Sequence, residues 1–181
     1  HITVRSDPVI SDQLWHSLPV NGWLKRDEAE LLMDVANGSS GDILEVGSYY
    51  GRSTCLLASL RRPVYAVDPF VGFDSNDPTG DVVRHGLRRN LEERLYHNVL
   101  VFKMRIEDWI VRPVDFAYLD GDHTYEGTLR QIAVAKLTGT TDVCLHDVDE
   151  NGGGLLVLRA IRDSALLIVS QVGTMAHCQF R

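Results

Sequence analysis

The stretch Ile43–Thr54, ILEVGSYYGRST, constrains the chain more than any other. Ile43-Leu44-Glu45-Val46 is too short for a helix, and its aliphatic residues suit a strand buried on both faces of a sheet. Gly47 ends that strand. Gly47 and Gly51 have no Cβ, so the backbone there can turn sharply and bring its amides close to a ligand. Ser53 and Thr54 are placed to cap a following helix. A strand, a glycine turn and a helix in that order open a parallel α/β sheet, which binds ligands outside the carboxyl ends of its strands. The spacing E-x-G-x-x-x-G departs from the G-x-G-x-x-G of dinucleotide-binding loops, which argues against a dehydrogenase.

The rest of the chain repeats the unit. Val64–Asp68 forms a second apolar strand with a carboxylate at its tip, where an acid can hydrogen-bond a ribose diol. Val99–Phe102, Asp115–Leu119 and Asp142–Leu145 supply three more strands. Helices are expected at Arg26–Ala36, Ser53–Leu60, Arg84–Leu95, Gly127–Leu137 and Leu155–Arg162. In the first of these, Ala29, Leu32, Met33 and Ala36 form the apolar face, and the helix should pack beside the first strand. Leu166–Val172 and Met175–Phe180 flank Gly173-Thr174 as a closing hairpin. The expected fold class is therefore α/β, a doubly wound Rossmann-like sheet, mostly parallel with a C-terminal antiparallel hairpin. Residues 1–22 read as an N-terminal cover, partly helical. Residues 69–83, rich in proline, glycine and aspartate, read as a long loop or lid over the ligand edge.

At 181 residues the chain makes one domain, 1–181, large enough to bury a core. A formal net charge of −7 argues against nucleic acid, which is bound by clustered Lys and Arg, and favours a small-molecule partner. No run approaches the roughly 20 apolar residues of a membrane span, and no signal-peptide core is seen, so a cytoplasmic protein is expected. The three cysteines, Cys55, Cys144 and Cys178, lie apart in apolar sequence and fit reduced core residues better than a disulfide framework.

Two successive strands end in unusual chemistry. The fourth runs into Asp120-Gly121-Asp122-His123-Thr124-Tyr125-Glu126 and the fifth into His146-Asp147-Val148-Asp149-Glu150. Acids and imidazoles thus gather on one sheet edge.

The ordered set E-V-G-x-x-x-G-x-S-T, V-D-P, Y-L-D-G-D-H-x-Y-E-G and L-H-D-V resembles class I S-adenosylmethionine-dependent methyltransferases. Within them it is most similar to small metal-dependent sugar O-methyltransferases, related to the macrolide-sugar O-methyltransferases and the cephalosporin hydroxylase-like group. The resemblance implies that Glu45, Gly47, Ser48, Gly51 and Ser53 form the cofactor loop and that Asp68 takes the ribose hydroxyls. It also sets Arg105, Ile106 and Glu107 near adenine. Asp120, beside the cofactor, would hold a divalent cation, magnesium in that family, together with the pair after the fifth strand. His123 would be the catalytic base. That pair is His146-Asp147 here, a departure, because magnesium prefers oxygen ligands and imidazole suits zinc, iron, manganese or nickel. Asp122 or Asp149 could supply the missing oxygen. The implied acceptor is a hydroxyl of a saccharide or other small molecule, and a homo-oligomer stays open. Two alternatives are a metal-dependent hydrolase or hydroxylase and a non-catalytic cofactor-binding protein.

Overall fold

A computed structural model describes residues 9–72 and 76–181. The first eight residues of the N-terminal cover and residues 73–75 of the expected lid lie outside the described part. One seven-stranded sheet carries the domain, in the order β3-β2-β1-β4-β5-β7-β6. Its strands are β1 (Ile43–Val46), β2 (Val64–Asp68), β3 (Val99–Lys103), β4 (Phe116–Leu119), β5 (Asp142–Leu145), β6 (Leu166–Val172) and β7 (Met175–Phe180). The first five are mutually parallel, and β7 inserts antiparallel between β5 and β6. This is the expected Rossmann-like methyltransferase sheet with its antiparallel C-terminal strands.

Strand periodicity divides the core into two layers. On one face Leu44, Val46, Val67, Ala117, Leu119 and Leu145 meet α5 (Tyr125–Leu137) and α6 (Gly154–Asp163). On the other, Ile43, Val64, Phe116, Tyr118 and Cys144 meet α2 (Arg26–Asn37), α3 (Arg52–Ala58) and α4 (Asp81–Glu93). Each fully buried aliphatic or aromatic side chain in these layers is worth roughly 1.5–3 kcal/mol. The short α1 (Asp12–Ser17) is flanked by the buried Ile10 and Leu18, which belong to the second layer. All three cysteines are buried and unpaired. Among the described residues no helix is long and apolar enough to cross a membrane.

Three local expectations change. α4 begins at Asp81 rather than Arg84, because Asp77 accepts the Asp81, Val82 and Val83 amides and so caps the helix from within the preceding loop. α2 packs over β5, β6 and β7 and against α3 rather than beside β1. Ser53 and Thr54 do not cap α3. Its N-cap is Gly51, at φ 89°, and both hydroxyls point instead to Glu45.

Candidate active site

The β1–α3 loop is fastened from below and from the side. Period-two alternation turns Glu45 toward α3, where its carboxylate accepts the hydroxyls of Ser53 at 2.6 Å, Thr54 at 2.6 Å and Ser48 at 2.9 Å. Burial pushes the Glu45 carboxyl up to about 7, although the three hydroxyls oppose it. From the side, Asp68 Oδ2 accepts the Ser48 and Tyr49 amides at 2.8 and 3.0 Å, and Oδ1 accepts the Phe70 amide at 2.5 Å. Gly47 needs its missing Cβ. It sits at φ 87°, and a Cβ there would run into the main-chain carbonyl of Asp120. The loop therefore lies directly against the end of β4.

Beside it opens a cavity of about 320 Å³, within the range of small-molecule sites. Val46, Val67 and Ile106 give it apolar walls, and Asp68, Arg105 and Glu107 bring charge. Val71 and Gly72, of the loop after β2, also line it. Of the residues expected at the cofactor, Gly47, Asp68, Arg105, Ile106 and Glu107 line this space. Glu45, Ser48, Gly51, Ser53 and Asp120 do not: Glu45, Ser48 and Ser53 form the buried hydroxyl–carboxylate cluster beneath the loop, Gly51 packs on Leu87 of α4, and the Asp120 carboxylate faces His123 and His146. The contribution of the first four is to hold the loop, which is where a strand of period two must put Glu45.

Two cavity residues have no counterpart in the sequence reading. Arg130 lies 3.5 Å from Glu107 and 3.4 Å from Asp122, bridging the β3 and β4 ends. Gln131 accepts the Gly121 amide and donates to the Asp122 carbonyl, which fixes the turn after β4. Both stand on α5 one turn beyond Tyr125-Glu126-Gly127. Only their position on the first turns after that motif could have signalled them.

The acids and imidazoles do meet. Asp120 Oδ1 is 3.3 Å from His123 Nε2 and 3.5 Å from His146 Nδ1, while Tyr118 donates to Oδ2 at 2.9 Å. Asp147 reaches His146 Nδ1 at 3.5 Å through Oδ1 and His123 Nδ1 at 3.4 Å through Oδ2. Asp147 holds this pose at φ 55°, a left-handed conformation that costs a non-glycine residue about 1–3 kcal/mol and often marks a functional site. Asp122 turns away, its Oδ1 accepting the Thr124 amide and its Oδ2 meeting Arg130. Asp149 engages Asn151.

Charge follows contact. Burial works to raise the Asp120 carboxyl, but His123 and His146 outweigh it and hold the group below the usual range. The bond to Asp120 raises His123, with burial opposing. Burial would lower His146, yet Asp120, Asp147 and Glu28 lift it well above an ordinary imidazole.

One ligand atom from each of Asp120, His146 and Asp147 falls within 4.8 Å of the others, so this mixed oxygen and nitrogen set fits a divalent cation. Behind it stands a residue absent from the sequence reading. Glu28 of α2, fully buried, accepts His146 Nε2 at 3.2 Å. The available signal was its spacing, since positions 28, 32 and 36 share the apolar face of α2.

Residues 44–148 match a family model described as a methyltransferase domain. No curated protein sequence matches the chain. Among solved structures, cofactor-bound Rv0187 from MTB is similar with a TM-score of 0.66 at 16% identity, over 99% of this chain and 93% of that one. An O-methyltransferase from Bacillus cereus in complex with SAH gives 0.64 at 17%, over 99% and 94%. CalS11, a TDP-rhamnose 3'-O-methyltransferase of calicheamicin biosynthesis, gives 0.58 at 16%, over 83% and 76%. At such identities the likeness concerns the fold.

Proposed function

Because the chain belongs to the methyltransferase-domain family, we propose that it moves a methyl group from S-adenosylmethionine to a hydroxyl of a saccharide or similar small molecule, with a divalent cation at Asp120, His146 and Asp147. The observation that carries this reading is the junction of two unlike features at Gly47: an apolar, carboxylate-ended cavity on one side and an acid–imidazole cluster on the other. A hydrolase would leave the glycine loop held by Glu45 and Asp68 unexplained. When bound, the cofactor supplies an electrophilic methyl group and the cation supplies Lewis acidity.

The protein's own residues supply orientation and proton handling. Val46, Val67 and Ile106 offer faces to a purine. Asp68 has three amide donors on a carboxylate that can accept about four, which leaves one position on Oδ1 for a ribose hydroxyl. His123 is the group placed to take the acceptor's proton. It can do so only when one ring nitrogen is free, and both now face carboxylates, so the engagement of Asp120 and Asp147 elsewhere is a condition of that role. A saccharide acceptor is supported by the likeness to CalS11, a TDP-rhamnose 3'-O-methyltransferase.

Calorimetric titration with S-adenosylmethionine tests the reading. Binding is expected, and Asp68→Ala should weaken it by about 1.5–3 kcal/mol, the value of a hydrogen bond to a charged group. A wild-type protein that binds no cofactor would overturn the proposal, and an unchanged affinity in the variant would overturn the ribose assignment.

A further inference from the structure

Glu28 is saturated in a way that serves one partner. Its Oε1 accepts the Thr174 amide at 2.8 Å and the Thr174 hydroxyl at 2.9 Å, and its Oε2 accepts the Lys25 amide at 3.1 Å and His146 Nε2 at 3.2 Å. All four acceptor positions of the carboxylate are thus used by donors drawn from α2, the β6–β7 turn and the end of β5. Donors at all four positions leave the carboxylate no site for a proton of its own. An ionised carboxylate only accepts, so Nε2 of His146 must carry the hydrogen. The other nitrogen, Nδ1, is then aimed between Asp120 and Asp147.

A carboxylate behind an imidazole fixes its tautomer, stops the ring from turning and raises the basicity of the opposite nitrogen. Stability does not call for this arrangement here, since a buried ion pair costs desolvation that an apolar pair would avoid. Resting on the metal-assisted reading above, we propose that Glu28 is a positioning residue that makes His146 Nδ1 a metal ligand and so turns the site from a magnesium site into one for a transition ion that accepts nitrogen, for which manganese serves as the spectroscopic probe. An all-oxygen set is what magnesium selects, whereas one locked imidazole between two carboxylates favours ions that bind nitrogen. The magnesium expected from the sequence resemblance is replaced accordingly.

Mn2+ is the probe, because pulsed electron paramagnetic resonance detects a nitrogen bonded to it independently of turnover. Wild-type protein should bind one Mn2+ with the signature of a single directly coordinated ¹⁴N, and more tightly than Mg2+. Glu28→Gln should weaken Mn2+ about 10- to 100-fold, the usual loss when such a partner is altered. Thermal melting without metal separates that loss from simple destabilisation. Should Glu28→Gln fail to fold, His146→Asp carries the test: the ¹⁴N signature should vanish and the Mn2+ preference over Mg2+ should fall at least about tenfold. Mn2+ bound without ¹⁴N, or a folded Glu28→Gln with wild-type affinity, overturns this proposal and leaves metal-assisted transfer standing. Absence of any Mn2+ or Mg2+ binding overturns both, while cofactor binding would still be judged by the calorimetry above.

Discussion

Glu45 offers a quantitative test of how the β1–α3 loop is held. Its carboxyl is fully buried and lifted from an ordinary 4.5 to about 7 by desolvation, with Asp120 adding to the rise and three hydroxyls opposing it. A folded-state pKa above the unfolded value means that the folded state binds the proton more tightly. The stabilisation is therefore complete below about 4.5 and lost as pH climbs through about 7. At 1.36 kcal/mol per pH unit the loss is about 3 kcal/mol, a large part of the 5–15 kcal/mol typical of a domain. Other groups are shifted by folding too, His123 raised by its bond to Asp120 among them, so the wild-type curve alone does not isolate Glu45. Glu45→Gln keeps the shape and removes the titration. Urea unfolding of both proteins at about pH 4.5 and about pH 8 gives two stability differences, and the variant should gain about 3 kcal/mol on wild type between them. A difference that stays constant across that range would refute the reasoning, and would mean that the Ser48, Ser53 and Thr54 hydroxyls stabilise the carboxylate as well as water does.

His123→Ala should lower turnover about 10²- to 10⁴-fold with S-adenosylmethionine affinity nearly unchanged; turnover within a few fold of wild type would make His123 structural. Gly47→Ala should cost at least about 1–3 kcal/mol from the left-handed backbone alone, and its methyl group would push the loop off the Asp120 carbonyl, so both stability and cofactor binding should fall. An alanine variant as stable and as tight-binding as wild type would remove the close packing of Gly47 from the account.

The sheet was legible because its central strands are short apolar runs punctuated by glycine, proline or acid, and burial on both faces admits little else at such positions. The acid–imidazole cluster was legible for a related reason: parallel strands bring their carboxyl ends to one edge, so motifs ending β4 and β5 had to become neighbours. Long-range pairing was not legible. Glu45 read as a loop ligand because adjacency in sequence to Gly47 says nothing about which face of β1 carries it inward. Asp77 read as one more loop acid, although its carboxylate sets the start of α4. Glu28 lies 118 residues from His146, and a carboxylate on an otherwise apolar helix face carries no label naming its partner.

The tie between Glu28 and Thr174 spans 146 residues of chain. During synthesis α2 leaves the ribosome early, and β5 with His146 follows much later, yet the turn that completes the Glu28 anchor comes only after β6 has emerged. The hydrogen bonds at Oε1 must wait for that turn, and β7 must then slide between β5 and β6 to hold it in place. The Gly47 loop and the cavity wall at Ile106 belong to chain made well before this turn. The parts proposed to grip the cofactor thus come from chain made earlier than the turn that completes the Glu28 brace on His146.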